Sequence, residues 1–284
     1  RWKDPYKRTW SYLSKHQLFR VVNINWWEKY MFTNAIVRIP GKSLINGLSD
    51  SKSLGFPDYD KAIIQHKLYI EALKACGLEV TVLKPCEEYP DSTFIEDVAL
   101  LTPQCAIITR PGAPSRRDEV TKIDSILRKE FSNVEVIEAP GTIEAGDIMM
   151  VGSHFYIGLS DRTNLSGAKQ AIGILKKYGM TGSTVTLNDV LHLKTGLSYL
   201  ENNKLVICGK FISDPIFKNY DFIEIPEEEN YAANCIWVNE YVIVPSGYPI
   251  SKEKISNAGF NVIEVDVSEF KKLDGGLSCL SLRY

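Results

Sequence analysis

Residues 97–109 read DVALLTPQCAIIT, and residues 147–159 read DIMMVGSHFYIGL. Each stretch consists of two short runs of mainly apolar residues around a polar turn, which is the pattern of a β-hairpin. Two further copies follow at 197–208 (LSYLENNKLVIC) and 235–245 (CIWVNEYVIVP). The hairpins recur about every 45 to 50 residues, and repeats of this length are typical of solenoids, arrays and propellers.

A helical pattern and a third strand accompany the hairpins. Asp58 is the predicted N-cap of a helix that ends near Cys76, where Gly77 stops it. Later helical patterns cover residues 119–131, 165–178 and 251–258. Short β-like runs occupy residues 79–83, 134–137, 184–187, 222–225 and 262–265. The repeating unit is therefore hairpin, helix and strand.

The two ends of the body complete this pattern. The run at 278–283 supplies one strand of a hairpin, and residues 34–39 (NAIVRI) supply the missing partner. A ring closed in this way has no open sheet edge between its first and last units. We predict an α/β fold of five units around a central axis, in one domain covering residues 31–284. An open two-domain α/β protein is the alternative.

Residues 1–30 differ in composition from the rest of the chain. They carry seven Lys/Arg and two acids, a net charge of +5, which leaves −7 for the remaining 254 residues. We predict that residues 1–30 are an N-terminal extension outside the fold, because Met31 is the first methionine. A targeting role, as a basic amphipathic anchor or a transit peptide, is the alternative. The total charge of −2 gives no general electrostatic argument for a nucleic-acid or anionic-membrane partner.

Cys279 and His192 are the candidate reactive pair. The six cysteines contain no CxxC spacing, which argues against a zinc ribbon or a thioredoxin-like site. Cys279 follows Asp274-Gly-Gly-Leu-Ser, a turn whose glycines allow a ligand close to the backbone. His192 lies between leucines just before the third hairpin and could supply the base that a thiol nucleophile needs. Either residue alone is more often structural, but corresponding loops of a ring converge on its axis.

Acidic residues are concentrated at the starts of the first two hairpins. They are Asp91, Glu96, Asp97, Glu144 and Asp147. Several carboxylates that face one cavity are costly to bury unless a cation neutralises them. Capping and turn chemistry account for one acid per hairpin, and the spacings match no metal-binding motif. A guanidinium ligand fits better, because its planar fork pairs with carboxylates.

Two arginine-bearing loops occupy matching places after the second strand of their hairpins. They read TRPGAPSRR at 109–117 and GLSDRTN at 158–164. Proline and glycine favour loops rather than helix there. A surface role is the default for one arginine, but two at equivalent positions could clamp a ligand carboxylate.

Seven segments together resemble one known family, the dimethylarginine dimethylaminohydrolases. They are FIEDVALL, TRPGAPSRR, IEAGDIMMVG, FYIGLSDRTN, VLHLKTGLSYL, YAANCIWVN and DGGLSCLSLR, and they span nearly all of residues 31–284. The resemblance implies the pentein-type five-bladed αβ-propeller of the guanidine-modifying superfamily. It also implies hydrolysis of asymmetric dimethylarginine or monomethylarginine to citrulline and dimethylamine or methylamine, through a covalent thiouronium intermediate.

The resemblance further implies roles for individual residues. Three would be catalytic: Cys279 as the nucleophile, His192 as the general acid and base, and Glu144 as the carboxylate that orients the histidine. Seven would contact the substrate: Asp91, Glu96 and Asp97 at the guanidinium, Arg116 and Arg162 at the carboxylate, and Leu48 and Leu273 through their backbones. No cofactor or metal is implied, and Zn²⁺ bound by Cys279 and His192 would inhibit.

The expected partner is a small molecule, a methylated arginine, with no nucleic acid and no membrane. A homodimer is left open, and the reactive thiol favours a reducing cytoplasm. Two alternatives remain: an arginine deiminase or amidinotransferase of the same superfamily, and a non-catalytic propeller that only binds a ligand. Release of a methylamine from methylarginine, rather than ammonia from arginine, separates the first alternative from the main prediction.

Overall fold

The four hairpins predicted from the sequence are present in the structure. The computed structural model describes residues 32–187 and 190–284, and the predictions for residues 1–30 lie outside this range. Residues Met31–Tyr284 group into one compact unit. The described strands are β1 Asn34–Arg38, β2 Glu79–Leu83, β3 Ala99–Leu101, β4 Ala106–Ile108, β5 Val134–Val136, β6 Ile148–Val151, β7 His154–Leu159, β8 Thr181–Thr186, β9 Leu197–Tyr199, β10 Lys204–Ile207, β11 Asp221–Glu224, β12 Ile236–Val238, β13 Tyr241–Pro245, β14 Asn261–Val265 and β15 Leu282–Arg283.

These strands form five sheets of the same design within the described ranges. In each sheet an antiparallel hairpin is followed by a third strand that lies parallel to the central one. Four sheets have the orders β3-β4-β5, β6-β7-β8, β9-β10-β11 and β12-β13-β14. The fifth has the order β15-β1-β2, so its hairpin pairs the last strand with the first one described. The predicted pairing of the two ends is therefore confirmed.

Helices connect the central and third strands of most sheets. They are α1 Tyr59–Ala75, α2 Thr121–Glu130, α3 Leu165–Lys177 and α4 Pro249–Asn257, followed by a short α5 Ser268–Lys271. The predicted cap of α1 is confirmed, because the Asp58 side chain accepts a hydrogen bond from the Lys61 amide. No helix among the described residues is long and apolar enough to cross a membrane.

The structure differs from the repeat pattern in the third sheet. Between β10 and β11 the chain forms two 3-10 turns, Gly209–Ser213 and Pro215–Phe217, instead of an α-helix. Gly209 has a φ of +57°, which no α-helix accommodates, and Pro215 starts the second turn with Asp214 as its cap. The predicted start of α2 at residue 119 is also wrong, because residues Pro114–Val120 form a 3-10 turn.

A 3-10 turn precedes the first strand of every described sheet. These turns are Ile95–Val98, Ala145–Asp147, Leu193–Thr195, Glu227–Ala233 and Ser278–Leu280. The last turn contacts the first, which contacts the second, and the contacts continue through the third to the fourth. The run at 278–283 is thus only partly a strand, because Cys279 lies in a turn and pairing begins at Leu282.

The described core consists of several apolar clusters between neighbouring sheets and helices. Leu282 of β15 is buried in one of them, with Ile36 of β1 and Ile95, Val98 and Ile108 from the neighbouring sheet. This residue therefore contributes both to the sheet that joins the two ends and to the contact with the next sheet.

We predict that Leu282→Ala lowers the free energy of unfolding by about 2 to 4 kcal/mol, because it leaves a cavity in a packed cluster. The control is Leu68→Ala on α1, where the side chain is 53% exposed and the expected change is below about 0.5 kcal/mol. Urea denaturation of both variants measures the difference. Equal effects would contradict the role assigned to the pairing of the ends.

Candidate active site

One cavity collects the candidate residues from all parts of the described fold. Its volume is about 140 Å³, and nine of the ten residues predicted from the sequence line it. The exception is Glu96. The lining residues are Leu48, Ser49, Asp50, Asp91, Phe94, Asp97, Arg116, Glu144, Arg162, Leu191, His192, Leu273, Asp274, Gly275 and Cys279.

The cavity opens beside a wide surface groove. The two share Asp50, Arg162, Leu191 and Asp274, so these residues mark the mouth. Asp97 and Glu144 are 2% and 1% exposed and lie at the inner end. The cavity is therefore acidic at its inner end, and its mouth carries Arg162 together with Asp50 and Asp274.

Cys279 lies in the Ser278–Leu280 turn, is 8% exposed and lines the cavity. Its Sγ accepts a hydrogen bond from the Gly276 amide at 3.5 Å. Burial is the main reason that the pKa of the thiol is raised to about 12, and the negative charges of Asp97 and Glu96 add to this effect. Without a bound cation, Cys279 is thus a neutral thiol at physiological pH.

The two glycines before Cys279 are required by protein packing. A Cβ at Gly275 would lie 2.1 Å from Cε1 of Phe94, and one at Gly276 would lie 2.5 Å from Cγ of Asn234. The sequence predicted close approach by a ligand, but the groups that come closest are the protein's own side chains. The turn brings Gly275 and Cys279 to the cavity wall.

His192 and Glu144 form a hydrogen-bonded pair. Nε2 of His192 lies 2.8 Å from Oε2 of Glu144, which leaves Nδ1 as the ring nitrogen available for other contacts. The other Glu144 oxygen accepts hydrogen bonds from the amides of Gly112 and Ala113 at 3.0 and 3.3 Å. The TRPGAPSRR loop therefore holds the carboxylate that orients the imidazole.

The imidazole lies in a strongly negative environment. Burial alone would lower the pKa of His192. The carboxylates of Asp97, Glu144 and Asp147 outweigh burial and raise that pKa to about 9. His192 is therefore mostly protonated at neutral pH in the free protein.

Asp97 is held by a buried arginine. Arg116 Nη1 donates to Asp97 Oδ2 at 2.6 Å, and Nε and Nη2 of the same arginine pair with both oxygens of Glu119. Burial would raise the pKa of Asp97, but the positive charges of Arg116 and His192 outweigh it and hold the pKa below its usual range. The second Asp97 oxygen accepts the Gly146 amide at 3.0 Å.

These contacts differ from the predicted role of Arg116. The arginine was expected to pair with a ligand carboxylate, but in the described geometry its nitrogens donate to Asp97, Glu119 and the carbonyls of Asp91 and Phe94. Sequence reasoning missed Glu119. A buried arginine needs hydrogen-bonded partners that offset the cost of leaving water, and these acids and carbonyls supply them.

Glu96 also differs from its prediction. It lies outside the cavity lining, and its Oε1 pairs with Lys194 at 2.5 Å and with Arg283 at 3.5 Å. Its carboxylate therefore belongs to a neighbouring buried ionic cluster. Its negative charge still contributes to the raised pKa of Cys279.

Asp91 connects the cavity to the segment around Leu48. Its Oδ1 accepts a hydrogen bond from the Leu48 amide at 2.9 Å, and a Cβ at Gly47 would lie 2.9 Å from the same oxygen. Burial raises the pKa of Asp91. Leu48 and Leu273, which are predicted to contact the substrate through their backbones, both line the cavity. Asp91 fixes the backbone of Leu48.

Asp147 joins two parts of the site, although it does not line the cavity. Its carboxylate accepts hydrogen bonds from the hydroxyls of Ser160 and Thr163, each at 2.6 Å, and from the Leu193 amide at 3.0 Å. It therefore ties the loop of Arg162 to the turn after His192. In the sequence, its position just before an apolar strand is what marks Asp147 as a candidate site residue.

Three side chains are close enough together to suggest a metal site. Ligand atoms of Asp97, Glu144 and His192 lie within 4.8 Å of one another. Arg116 already pairs with Asp97, and His192 with Glu144. We therefore assign the cluster to the protein's own cations, which neutralise the acids.

The fold and this site define a class of protein. Five small α/β sheets, a buried thiol, an imidazole–carboxylate pair and further carboxylates in one cavity are the features of a hydrolase of the guanidine-modifying class.

Comparisons with known proteins give the family. The family model N,N dimethylarginine dimethylhydrolase, eukaryotic, matches residues 58–281. The N(G),N(G)-dimethylarginine dimethylaminohydrolase of Pseudomonas aeruginosa is 58% identical over 255 residues, which cover 89% of this chain and 100% of that protein. The chain therefore belongs to the dimethylarginine dimethylaminohydrolase family.

Solved structures agree with this assignment. A cysteine-to-serine variant of the Pseudomonas aeruginosa enzyme complexed with citrulline has a TM-score of 0.89 at 58% identity, covering 90% of this chain and 100% of that one. A histidine-to-glycine variant of a dimethylarginine dimethylaminohydrolase, as an adduct with S-methyl-L-thiocitrulline, has a TM-score of 0.88 at 58% identity, covering 89% and 100%.

We predict that Gly146→Ala lowers kcat by about 100-fold while the protein stays folded, since small displacements of a reacting group are this costly. The added Cβ would lie 2.9 Å from both Asp97 Oδ1 and His192 Nδ1, so the imidazole must move. The control is Gly173→Ala in α3, where a Cβ meets no atom within 4 Å. An unchanged kcat in Gly146→Ala would show that the imidazole is not held there.

We predict that Glu144→Gln moves the pKa of His192 below its value of about 9, because a hydrogen-bonded negative charge is lost. The lower pKa should be visible by NMR of the imidazole, and kcat should fall by about 10- to 1,000-fold. Glu138→Gln, at an exposed position, is the matched control. A His192 pKa that stays near 9 would exclude Glu144 as its partner.

Proposed function

We propose that this chain hydrolyses asymmetric dimethylarginine and monomethylarginine to citrulline, with release of dimethylamine or methylamine. The observation that carries the proposal is the combination, in one cavity, of Cys279, the His192–Glu144 pair and the buried Asp97. Membership of the dimethylarginine dimethylaminohydrolase family at 58% identity supports the same substrate class.

We also propose that residues 31–284 are a single catalytic domain, a five-bladed αβ-propeller, with residues 1–30 as an extension outside it. Three observations support the ring: the shared design of the five described sheets, the pairing of β1 with β15, and the chain of contacts between the turns before the first strands. Contacts between first strands, β15 with β3, β6 with β9 and β9 with β12, agree with it.

The polarity of the cavity suggests how the substrate is oriented. Asp97 and Glu144 at the inner end attract the guanidinium, while Arg162 at the mouth attracts the carboxylate of the amino acid. The backbones of Leu48 and Leu273 are available to the amino group. Asp91 fixes the Leu48 segment at this end. We therefore expect a methylated arginine to enter with its guanidinium toward the thiol.

Substrate binding activates the nucleophile. Burial and neighbouring negative charge raise the thiol pKa to about 12. A guanidinium placed beside the sulfur offsets the negative charge and therefore lowers this pKa. The Cys279 proton then passes to solvent water, because His192 is already protonated, and the thiolate attacks the guanidinium carbon to give a tetrahedral adduct.

His192 moves the remaining protons. The protonated imidazole gives its proton to the departing methylated amine, the C–N bond breaks and a thiouronium ester of Cys279 remains. The neutral imidazole then takes a proton from water, whose oxygen adds to the same carbon. Cleavage of the C–S bond then forms the carbonyl of citrulline, and the hydroxyl proton of the adduct returns to the sulfur to restore the thiol. Glu144 keeps the ring oriented through both steps.

Catalysis by a free thiol also bears on the cellular compartment. All six cysteines are free in the described structure, and Cys279 must stay reduced to react. We therefore propose a reducing cytoplasm as the location. The homodimer stays a prediction.

The test is an assay of the purified protein with arginine, monomethylarginine and asymmetric dimethylarginine, in which citrulline and the released amine are both measured. We expect citrulline with an equal amount of methylamine or dimethylamine, and a Cys279→Ser variant at least about 1,000-fold less active, as for loss of a nucleophile. Cys86→Ser, at a half-buried position outside the cavity, is the control.

Two results would contradict the proposal. Ammonia from arginine as the main product would indicate a deiminase. Undiminished citrulline production by Cys279→Ser would remove the nucleophile assigned to the reaction.

A further inference from the structure

A 3-10 turn precedes the first strand of each of the five described sheets, and one of these turns has no assigned part in the site. Asp97, Gly146, His192 and Cys279 lie in or next to the other four turns. The Glu227–Ala233 turn ends at Asn234, two residues before β12, which matches the place of Asp97 before β3. Asn234 lies in the segment YAANCIWVN, which the sequence singled out without giving it a chemical role.

Asn234 is buried, and its carboxamide is fully engaged. Oδ1 accepts the Ser278 amide at 3.0 Å, and Nδ2 donates to Ser278 Oγ and to the Lys194 carbonyl, each at 3.0 Å. Ser278 precedes the nucleophile Cys279, and Lys194 lies in the turn that begins just after His192. One side chain therefore connects the turn of the nucleophile to the turn of the base.

We propose that Asn234 is a positioning residue that fixes the Cys279 turn against the His192 turn and directs the Ser278 hydroxyl toward the Cys279 sulfur. The importance of this geometry for turnover rests on the proposed function. The contact between the Ser278 hydroxyl and the Cys279 sulfur is independent of that function.

Hydrogen-bond roles give the hydroxyl its direction. Because Nδ2 of Asn234 donates to Ser278 Oγ, the hydroxyl keeps its own proton for another acceptor. Cys279 Sγ lies 3.9 Å from this oxygen, and the Gly276 amide lies 3.5 Å from the same sulfur. Either the hydroxyl or the thiol can donate in the neutral form, but toward a thiolate the hydroxyl and the Gly276 amide both act as donors. Hydrogen bonds to a thiolate favour the ionised form.

Packing locks this arrangement. A Cβ at Gly276 would lie within 2.5 Å of Asn234 Oδ1, so the carboxamide and the glycine backbone are in close contact. A rotation of the carboxamide would break its bonds to Ser278 and Lys194 together. The geometry of the nucleophile therefore depends on a residue that does not line the cavity.

A second buried asparagine provides a matched control. Nδ2 of Asn239 donates to the carbonyls of Phe32 and Cys76, and its Oδ1 accepts the Phe32 amide. It has the same pattern of two donated bonds and one accepted bond, and the same 8% exposure. Its partners, however, are Phe32 and Cys76, and not residues of the Cys279 or His192 turns. A purely structural role predicts the same consequences for both residues.

The first experiment compares Asn234→Asp with Asn239→Asp. Each change keeps the shape of the side chain and removes the amide donors. For Asn234→Asp we expect kcat to fall by about 10- to 100-fold with KM within about threefold, as for a misplaced reacting group. For Asn239→Asp we expect a lower melting temperature with kcat within about twofold. The proposal would be overturned if both variants lost stability to a similar extent and had the same kcat.

The second experiment isolates the hydroxyl without adding charge. The rate at which iodoacetamide alkylates Cys279, followed by mass spectrometry of its peptide, reports thiolate population and needs no turnover. For Ser278→Ala we expect this rate to fall by about three- to tenfold at every pH from 7 to 9, because the thiolate loses a hydrogen bond. Ser278→Thr, which keeps a hydroxyl, should restore it.

The two variants together test the connection. If Asn234 acts through Ser278, the double variant Asn234→Asp/Ser278→Ala alkylates no more slowly than the slower single variant. Strictly multiplicative effects, or an unchanged rate in Ser278→Ala, would overturn the proposal. If Asn234→Asp does not fold, the comparison of Ser278→Ala with Ser278→Thr tests the proposal by itself. Absence of citrulline from the unmodified protein would overturn the proposed function, while the alkylation comparison would still stand.

Discussion

Negative charge buried around one sulfur is the constraint on which the site depends. Asp97 and Glu144 are almost fully buried, and each needs partners that offset the cost of leaving water. Arg116 and His192 supply positive charge, and backbone amides supply the remaining hydrogen bonds. The same negative charge helps to hold Cys279 in its neutral form. Acids, base and nucleophile are therefore parts of one electrostatic system, and none can be changed alone.

The scaffold meets this constraint by holding each acid from a different segment of the chain. The amide of Leu48 binds Asp91, that of Gly146 binds Asp97, and that of Leu193 binds Asp147. Each amide lies in or beside a short turn or loop rather than inside a strand. Since backbone amides cannot move without their turns, the positions of the carboxylates follow from the contacts between neighbouring turns.

The sequence predicted the features that depend on local pattern and on the repeat, including the pairing of β1 with β15, and missed the partners of individual charged side chains. The hairpins and the Asp58 cap follow from local alternation and capping rules, and the structure contains both. The pairing of Arg116 with Asp97 could not be derived in the same way, because the two meet only when the β3-β4 hairpin folds. Glu119 is only three residues from Arg116 and was within reach of local reasoning. The ion pairs of Glu96 could not be derived from local pattern either, because Lys194 and Arg283 lie about 98 and 187 residues further along the chain. Uncharged Asn234 and Ser278 gave no signal beyond their place in a repeated segment.

Opposed requirements on the sulfur explain why a charged substrate suits this site better than a neutral one. The acids that attract a guanidinium also keep the free thiol protonated, so only a ligand that brings its own positive charge relieves the effect. Citrulline carries a neutral urea in place of the guanidinium. It therefore loses the attraction of Asp97 and Glu144, and it no longer stabilises the thiolate. Under the proposed function, selection of the substrate, activation of Cys279 and release of the product all follow from one change of charge.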